Sequence, residues 1–162
     1  MILAQQSTSN SSNHADVLIP PPLLYVLLFL LAWLLQRVMP LPFLPEGIAQ
    51  GAAALSFVVG ILLCVWSIGL FRRARTSLVP VKPTTALVLN GPYQMTRNPM
   101  YLGLLCLYLA AAFWLNLVWA LVLVPILIGI VQRVVIEKEE RYLEQQFGET
   151  YRQYKAHVRR WI

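Results

Sequence analysis

Three stretches of this chain carry no charged side chain: Val17–Gln36, Gly47–Phe71 and Asn98–Gln132, of 20, 25 and 35 residues. A helix needs about 20 apolar residues to cross the roughly 30 Å hydrocarbon core of a bilayer. The first two runs each predict one transmembrane helix, over 20–38 and 48–70. The third is too long for one crossing. Its middle reads Trp114-Leu115-Asn116-Leu117-Val118-Trp119, an amide flanked by tryptophans, the side chains favoured at membrane interfaces. This predicts a tight helical hairpin with arms 99–115 and 117–136. The expected fold class is all-α: a polytopic membrane bundle of about four transmembrane helices, with a C-terminal helical extension over 137–161.

Composition agrees. Of 162 residues, 58% are hydrophobic and 12% are charged, whereas a soluble domain carries roughly 25% charged residues. There is too little polar side chain to wet the outside of a water-soluble globule, so the lipid bilayer must supply part of the solvent. The flank Met1–Asp16 is rich in Ser and Asn and has no Lys or Arg, unlike the basic leading region of a cleaved signal. The first span is therefore expected to be retained, behind a disordered tail over 1–16. Residues 17–162 are expected to form the membrane domain.

The cations give an orientation. Arg72, Arg73, Arg75, Lys82 and Arg97 lie between spans two and three, and Lys138, Arg141, Arg152, Lys155, Arg159 and Arg160 follow span four. The positive-inside rule places both groups, the loop 71–98 and the helices 137–161, on the cytoplasmic side. Four crossings then put both termini there too. A multi-pass location follows, in a cell inner membrane or an endoplasmic reticulum according to source. The net charge of +6 is explained by topology and anionic headgroups. No aromatic-basic module accompanies it, so no nucleic-acid partner is expected.

No metal is expected either. Cys64 and Cys106 fall inside predicted spans, and His14 and His157 lack the neighbours that a zinc site requires. There is no glycine-rich dinucleotide or phosphate loop, so any cofactor must be held by helices and their connecting loop.

Two polar stretches remain for chemistry. In the first, Lys82–Gly103, Asn90-Gly91-Pro92 signals a turn, and Pro99 suits the first position of a helix with Asn98 as its N-cap. Free backbone N–H groups there, beside Arg97, suit an anion. A plain capped helix whose arginine snorkels to headgroups fits the same residues. In the second stretch, Glu137, Glu139, Glu140 and Glu144 put four of the chain's seven acids into eight positions. Spacings of four, Arg133–Glu137 and Glu137–Arg141, suit surface ion pairs. Glu139 and Glu140 are harder to explain so, because adjacent residues point to different sides of a helix. A stripe of Leu143, Phe147, Tyr151, Tyr154, Val158 and Trp161 has helical spacing. It predicts a helix lying along the interface or folding back under the bundle, with Gly148 as a possible break.

The segment Gly91-Pro92-Tyr93 followed by Arg97-Asn98-Pro99-Met100-Tyr101-Leu102-Gly103 resembles the signature of isoprenylcysteine carboxyl methyltransferases and their phospholipid methyltransferase relatives. Glu139-Glu140, Leu143, Phe147-Gly148-Glu149, Tyr151 and Tyr154 resemble the second signature. The resemblance runs from about Arg72 to Trp161. It implies an integral membrane methyltransferase using S-adenosylmethionine on a lipophilic acceptor. By similarity, the backbone of Leu87, Val88 and Leu89 and the Tyr93 side chain surround the nucleoside. Asn98, Tyr101, Glu139 and Glu140 contact the ribose and methionine parts. The carboxylates suit the donor's ammonium and offset its sulfonium charge, while the start of helix three suits its carboxylate. Arg97, with Glu140 in the catalytic set, orients an anionic acceptor or fixes the donor carboxylate.

In the prenylcysteine enzymes the position of Asn98 is usually histidine. Asn cannot change protonation, so the acceptor stays open between a prenylcysteine-like carboxylate, a lipid amine and a small lipophilic thiol or acid. A carboxylate is already ionised at pH 7, and positioning suffices for in-line displacement. An amine must first lose a proton to a general base, and Glu139 or Glu140 serves only if burial raises its pKa. Two other readings fit the same layout: an NADPH-dependent membrane reductase of the sterol type, and a non-catalytic four-helix membrane protein. Oligomeric state is open, since Gly60, Gly69 and Gly103 are too scattered in sequence to define a packing motif.

Overall fold

The computed structural model describes residues 20–75 and 86–162. The expected disordered tail over 1–16, His14 and Lys82 lie outside the described residues. Among the described residues every regular element is helical. Helix α1 (Pro21–Val38) begins within the proline run Pro20–Pro22, where a fixed φ suits a first turn. Helix α2 (Glu46–Arg73) has 28 residues, about 42 Å at 1.5 Å per residue. Both are long and apolar enough to cross a membrane. Leu27, Leu30 and Leu34 of α1, and Leu55, Phe57, Leu62 and Val65 of α2, face outward. An apolar surface of this extent is costly in water and natural in hydrocarbon.

Helix α3 (Pro99–Trp114) is a shorter apolar helix of 16 residues. It turns at Leu115–Leu117, as expected for a hairpin, with Asn116 at φ +50°, a left-handed conformation that Asn tolerates better than most residues. The Asn116 amide accepts from Leu44 N (2.9 Å) and donates to Leu44 O (2.8 Å). Nearby, Trp119 Nε1 donates to Met39 O at 2.6 Å. The hairpin tip is thereby tied to the α1–α2 loop.

The returning arm differs from the continuous helix expected over 117–136. It consists of α4 (Val118–Val122), α5 (Val124–Val131) and a π-helical turn (Gln132–Ile136). Pro125 has no N–H to donate back to Leu121, which accounts for the interruption at Leu123. The π turn widens the arm immediately before α6 (Glu137–Phe147).

The core lies between α1, α3 and this arm, around Tyr101, Leu105, Tyr108, Leu127, Val131, Val135 and Ile136. Tyr108 meets Tyr25 and Phe29 edge-on, with ring centroids 6.4 and 5.5 Å apart. Helix α2 packs on α3 through a pair of glycines. A Cβ built on Gly103 would meet Cys64 Sγ at 2.7 Å and Gly60 O at 3.1 Å, and one built on Gly60 would meet Gly103 O at 3.0 Å. Gly60 and Gly103, far apart in sequence, thus form one close crossing. Scattered in sequence, two of these glycines meet across the α2–α3 pair within one chain.

The C-terminal stripe is broken at Gly148, at φ 52° and ψ −123°, a conformation that side chains with a Cβ strongly disfavour. Helix α7 (Glu149–His157) ends earlier than the expected residue 161, and Val158 is extended. Past the helix end the carbonyls bond elsewhere: Arg159 O accepts from Arg97 N at 2.9 Å.

Candidate active site

The first turn of α3, the first turn of α6 and the C-terminal strap 158–162 meet at one place. Asn98 does occupy the N-cap position of α3, but its side chain makes no cap bond. It donates instead to Arg160 O (2.9 Å), and Thr96 Oγ1 donates to the same carbonyl (3.1 Å). The strap is fixed further by Trp161 Nε1, which donates to Gln132 Oε1 at 3.2 Å in the π turn.

Successive residues of a helix point about 100° apart, and the two acids use this. Glu139 turns to α3, where the Tyr101 hydroxyl donates to its Oε1 at 2.6 Å; Tyr25 in turn donates to Tyr101 O at 3.0 Å. Glu140 turns to the arginines. Arg160 binds it with a two-pronged fork, Nε to Oε1 at 3.0 Å and Nη2 to Oε2 at 2.7 Å. Arg97 Nη1 stands 3.2 Å from Glu140 Oε1. That is ion-pair distance without hydrogen-bond alignment, so Arg97 Nε and Nη1 remain buried donors with no hydrogen-bond acceptor. Glu137 reaches Arg160 Nη1 at 3.5 Å and Gln132 Nε2 at 3.4 Å.

The electrostatics separate the two adjacent acids. Glu139 keeps some surface exposure yet sits deep among protein atoms, and its carboxyl is pushed up to about 7. Burial is the main cause; the Tyr101 hydrogen bond pulls down, and the neighbouring Glu140 pushes up. Glu140 is buried and enclosed by guanidinium groups. Tyr151 is buried against the same cluster. Burial and then Glu140 push its hydroxyl up, while Arg97 draws it down.

Tyr93 is buried in the 3-10 turn Gly91–Gln94, against Phe71 with ring centroids 5.7 Å apart. Its carbonyl accepts from the Tyr154 hydroxyl at 2.6 Å, and burial raises the Tyr93 hydroxyl. Leu87, Val88 and Leu89 precede it in non-helical, partly exposed chain. The structure thus joins Arg97, Asn98, Tyr101, Glu139 and Glu140 in one polar cluster and sets Tyr93 beside it through α7, while Leu87–Leu89 lead into the turn that carries Tyr93. Gly103 of the first motif packs helices instead of touching the cluster.

Sequence reading missed Arg160, the closest partner of Glu140. Its signal was a pair: an arginine at the chain's end, and a glycine at 148 able to turn the chain back. Gln132 and Trp161, which tie the strap to the π turn, were missed as well. Among the described residues no group of three or more His, Cys, Asp or Glu is placed to hold a metal ion.

No solved structure matches the chain. A curated protein of Haemophilus influenzae, described as an uncharacterized protein, is 46% identical over 65 residues, covering 39% of this chain and 100% of that protein. A family model described as phospholipid methyltransferase matches residues 48–150. That span begins in α2, contains the first motif and the second as far as Glu149, together with Arg97, Asn98, Tyr101, Glu139 and Glu140, and ends in α7. With well over half of its length matched, the chain belongs to the phospholipid methyltransferase family.

Proposed function

We propose that this membrane methyltransferase takes its methyl group from S-adenosylmethionine and transfers it to the amine headgroup of a membrane lipid, at the cytoplasmic face. The supporting architecture has four crossings, α1, α2, α3 and the α4–α5 arm, with both termini, the loop before α3 and helices α6 and α7 in the cytoplasm. The cationic loops support that orientation. The outward apolar faces of α1 and α2 let a lipid acceptor approach sideways.

The observation that carries this reading is the Tyr101–Glu139 pair beside the Arg97–Glu140 cluster. S-adenosylmethionine supplies an activated methyl group on a sulfonium. The residues present fit its amino-acid end. Arg97 Nε and Nη1 are buried donors lacking an acceptor, which suits a carboxylate or phosphate oxygen, and Glu140 suits an ammonium. Tyr93 and the Leu87–Leu89 backbone would flank the nucleoside, with Asn98 beside the methionine part.

An amine acceptor is protonated near pH 7 and has no free electron pair. Glu139, with its carboxyl at about 7, is poised to take that proton. The Tyr101 hydroxyl fixes which oxygen faces the headgroup. The neutral nitrogen would then have the free electron pair that accepts a methyl group, which bound S-adenosylmethionine would supply, its sulfur keeping the electron pair of the bond given up. Arg97 holds an anion of donor or acceptor so that the approach is in line.

The test is incubation of the purified chain with methyl-labelled donor and vesicles containing an aminophospholipid or a prenylcysteine. Label on the lipid nitrogen is expected. Label only on the prenylcysteine carboxyl overturns the acceptor. Binding of NADPH without binding of S-adenosylmethionine overturns the class of reaction.

A further inference from the structure

Glu140 already faces two cations. Arg160 already takes both of its oxygens, and Arg97 stands 3.2 Å away. On the functional reading above, on which this inference rests, the donor's α-ammonium needs the same carboxylate.

The surroundings of Arg160 allow it to yield. Its main chain is anchored independently of its side chain. Arg160 O takes Thr96 and Asn98, Arg159 O takes Arg97 N, and Trp161 bonds Gln132. The guanidinium can therefore move while the strap stays in place. It also has a second carboxylate within reach, because Nη1 lies 3.5 Å from Glu137 Oε1. Glu137 is three residues before Glu140, on the same side of α6. The Glu137 side chain is 38% exposed against 7% for Glu140. A cation moved from Glu140 to Glu137 thus goes toward water. With Arg97 alone, the second oxygen of the buried Glu140 would have no cation against it, which is unfavourable and gives the fork a purpose.

We propose that Arg160 is a built-in stand-in for the donor's ammonium: it pairs Glu140 from the C-terminal strap, competes with the donor for that carboxylate, and is received by Glu137 when the ammonium takes Glu140. Arg160 lies beyond the matched family span of 48–150.

The experiment measures binding by calorimetry to the full chain in lipid nanodiscs. The probes are S-adenosylhomocysteine, which keeps the α-ammonium, and its analogue lacking the α-amino group. Arg160→Gln is expected to bind S-adenosylhomocysteine about tenfold more tightly, the equivalent of one charge-assisted hydrogen bond released from competition. Its affinity for the deamino analogue should not change. Glu137→Gln, which removes the receiving carboxylate, should weaken S-adenosylhomocysteine binding in the parent chain and have no effect in the Arg160→Gln background. Equal or weaker binding by Arg160→Gln overturns the proposal. If that variant does not fold, unaltered binding by Glu137→Gln overturns it. The parent chain binding both probes equally shows instead that Glu140 does not receive the ammonium, so the underlying assignment fails with it.

Discussion

The Tyr101 hydroxyl donates to Glu139 Oε1 over 2.6 Å, joining the first turn of α3 to the first turn of α6. Burial lifts the Glu139 carboxyl to about 7, and this hydrogen bond holds it lower than burial alone would. A base must be ionised to accept a proton, so kcat/KM with an amine lipid should rise as pH increases through about 7. Tyr101→Phe removes the downward pull, and the inflection should move up by about one pH unit, given roughly 1.5 kcal/mol for a hydrogen bond to a charged group. Glu139→Gln should abolish the inflection. A profile unchanged in both variants would remove Glu139 from the proton path.

Folding stability carries the same signature with a worked sign. The folded pKa of Glu139 lies above its ordinary value of 4.5, so the folded state holds the proton more firmly than the unfolded chain. The associated stability is full below about 4.5 and is lost as pH rises to about 7. The parent chain should therefore lose more stability across that window than Glu139→Gln, by an amount on the order of 2 kcal/mol. Denaturation in mild detergent at pH 4.5 and 7.5 measures the difference. Equal losses in the two proteins would show that the carboxyl titrates normally.

Glu140 is the counter-charge for two guanidinium groups, and Arg97 is the more deeply buried, with its side chain 10% exposed. Glu140→Gln leaves those cations facing one another, and breaking a buried pair from one side costs about 3 kcal/mol or more. The variant should unfold at a clearly lower denaturant concentration. Adding Arg97→Gln should recover part of the loss, because one of the two uncompensated charges goes with it. A Glu140→Gln protein as stable as the parent would mean that the cluster is solvated in solution.

The helices were legible because charge cannot sit in hydrocarbon: the gaps in charge bounded α1 and α2 to within a few residues and marked the start of α3, whose end was read from the Trp114–Trp119 tip. The two motif regions were legible as polar islands, and the structure brings Arg97 to Glu140 and Tyr101 to Glu139. What the linear chain hid was contact between distant residues. Nothing local in Arg160 distinguishes it from Arg159, and its pairing with Glu140 depends on a chain reversal at Gly148. The Gly60–Gly103 crossing was hidden for the same reason, since its glycines belong to different helices. The divided second arm was locally readable from Pro125. A proline inside an apolar run removes one backbone bond whatever the hydropathy of its neighbours.

Gly51 of α2 and Gly103 of α3 should respond to alanine with opposite signs. At Gly51 an added Cβ meets nothing within 4 Å, whereas at Gly103 it meets Cys64 Sγ at 2.7 Å and backbone atoms at 3.1 and 3.2 Å. Both positions are helical. In open space the lower conformational entropy of alanine should dominate, and Gly51→Ala should stabilise by up to about 1 kcal/mol. Gly103→Ala gains the same local term but forces α2 and α3 apart along their tightest contact. Overpacking costs typically 1–3 kcal/mol, so its net effect should be destabilising. Because α3 also carries Tyr101, separation of the helices should reduce methyl transfer as well. Thermal unfolding in detergent, with activity assayed on the same samples, distinguishes the two. A Gly103→Ala protein as stable and as active as Gly51→Ala would show that this crossing is looser than the glycine pair requires.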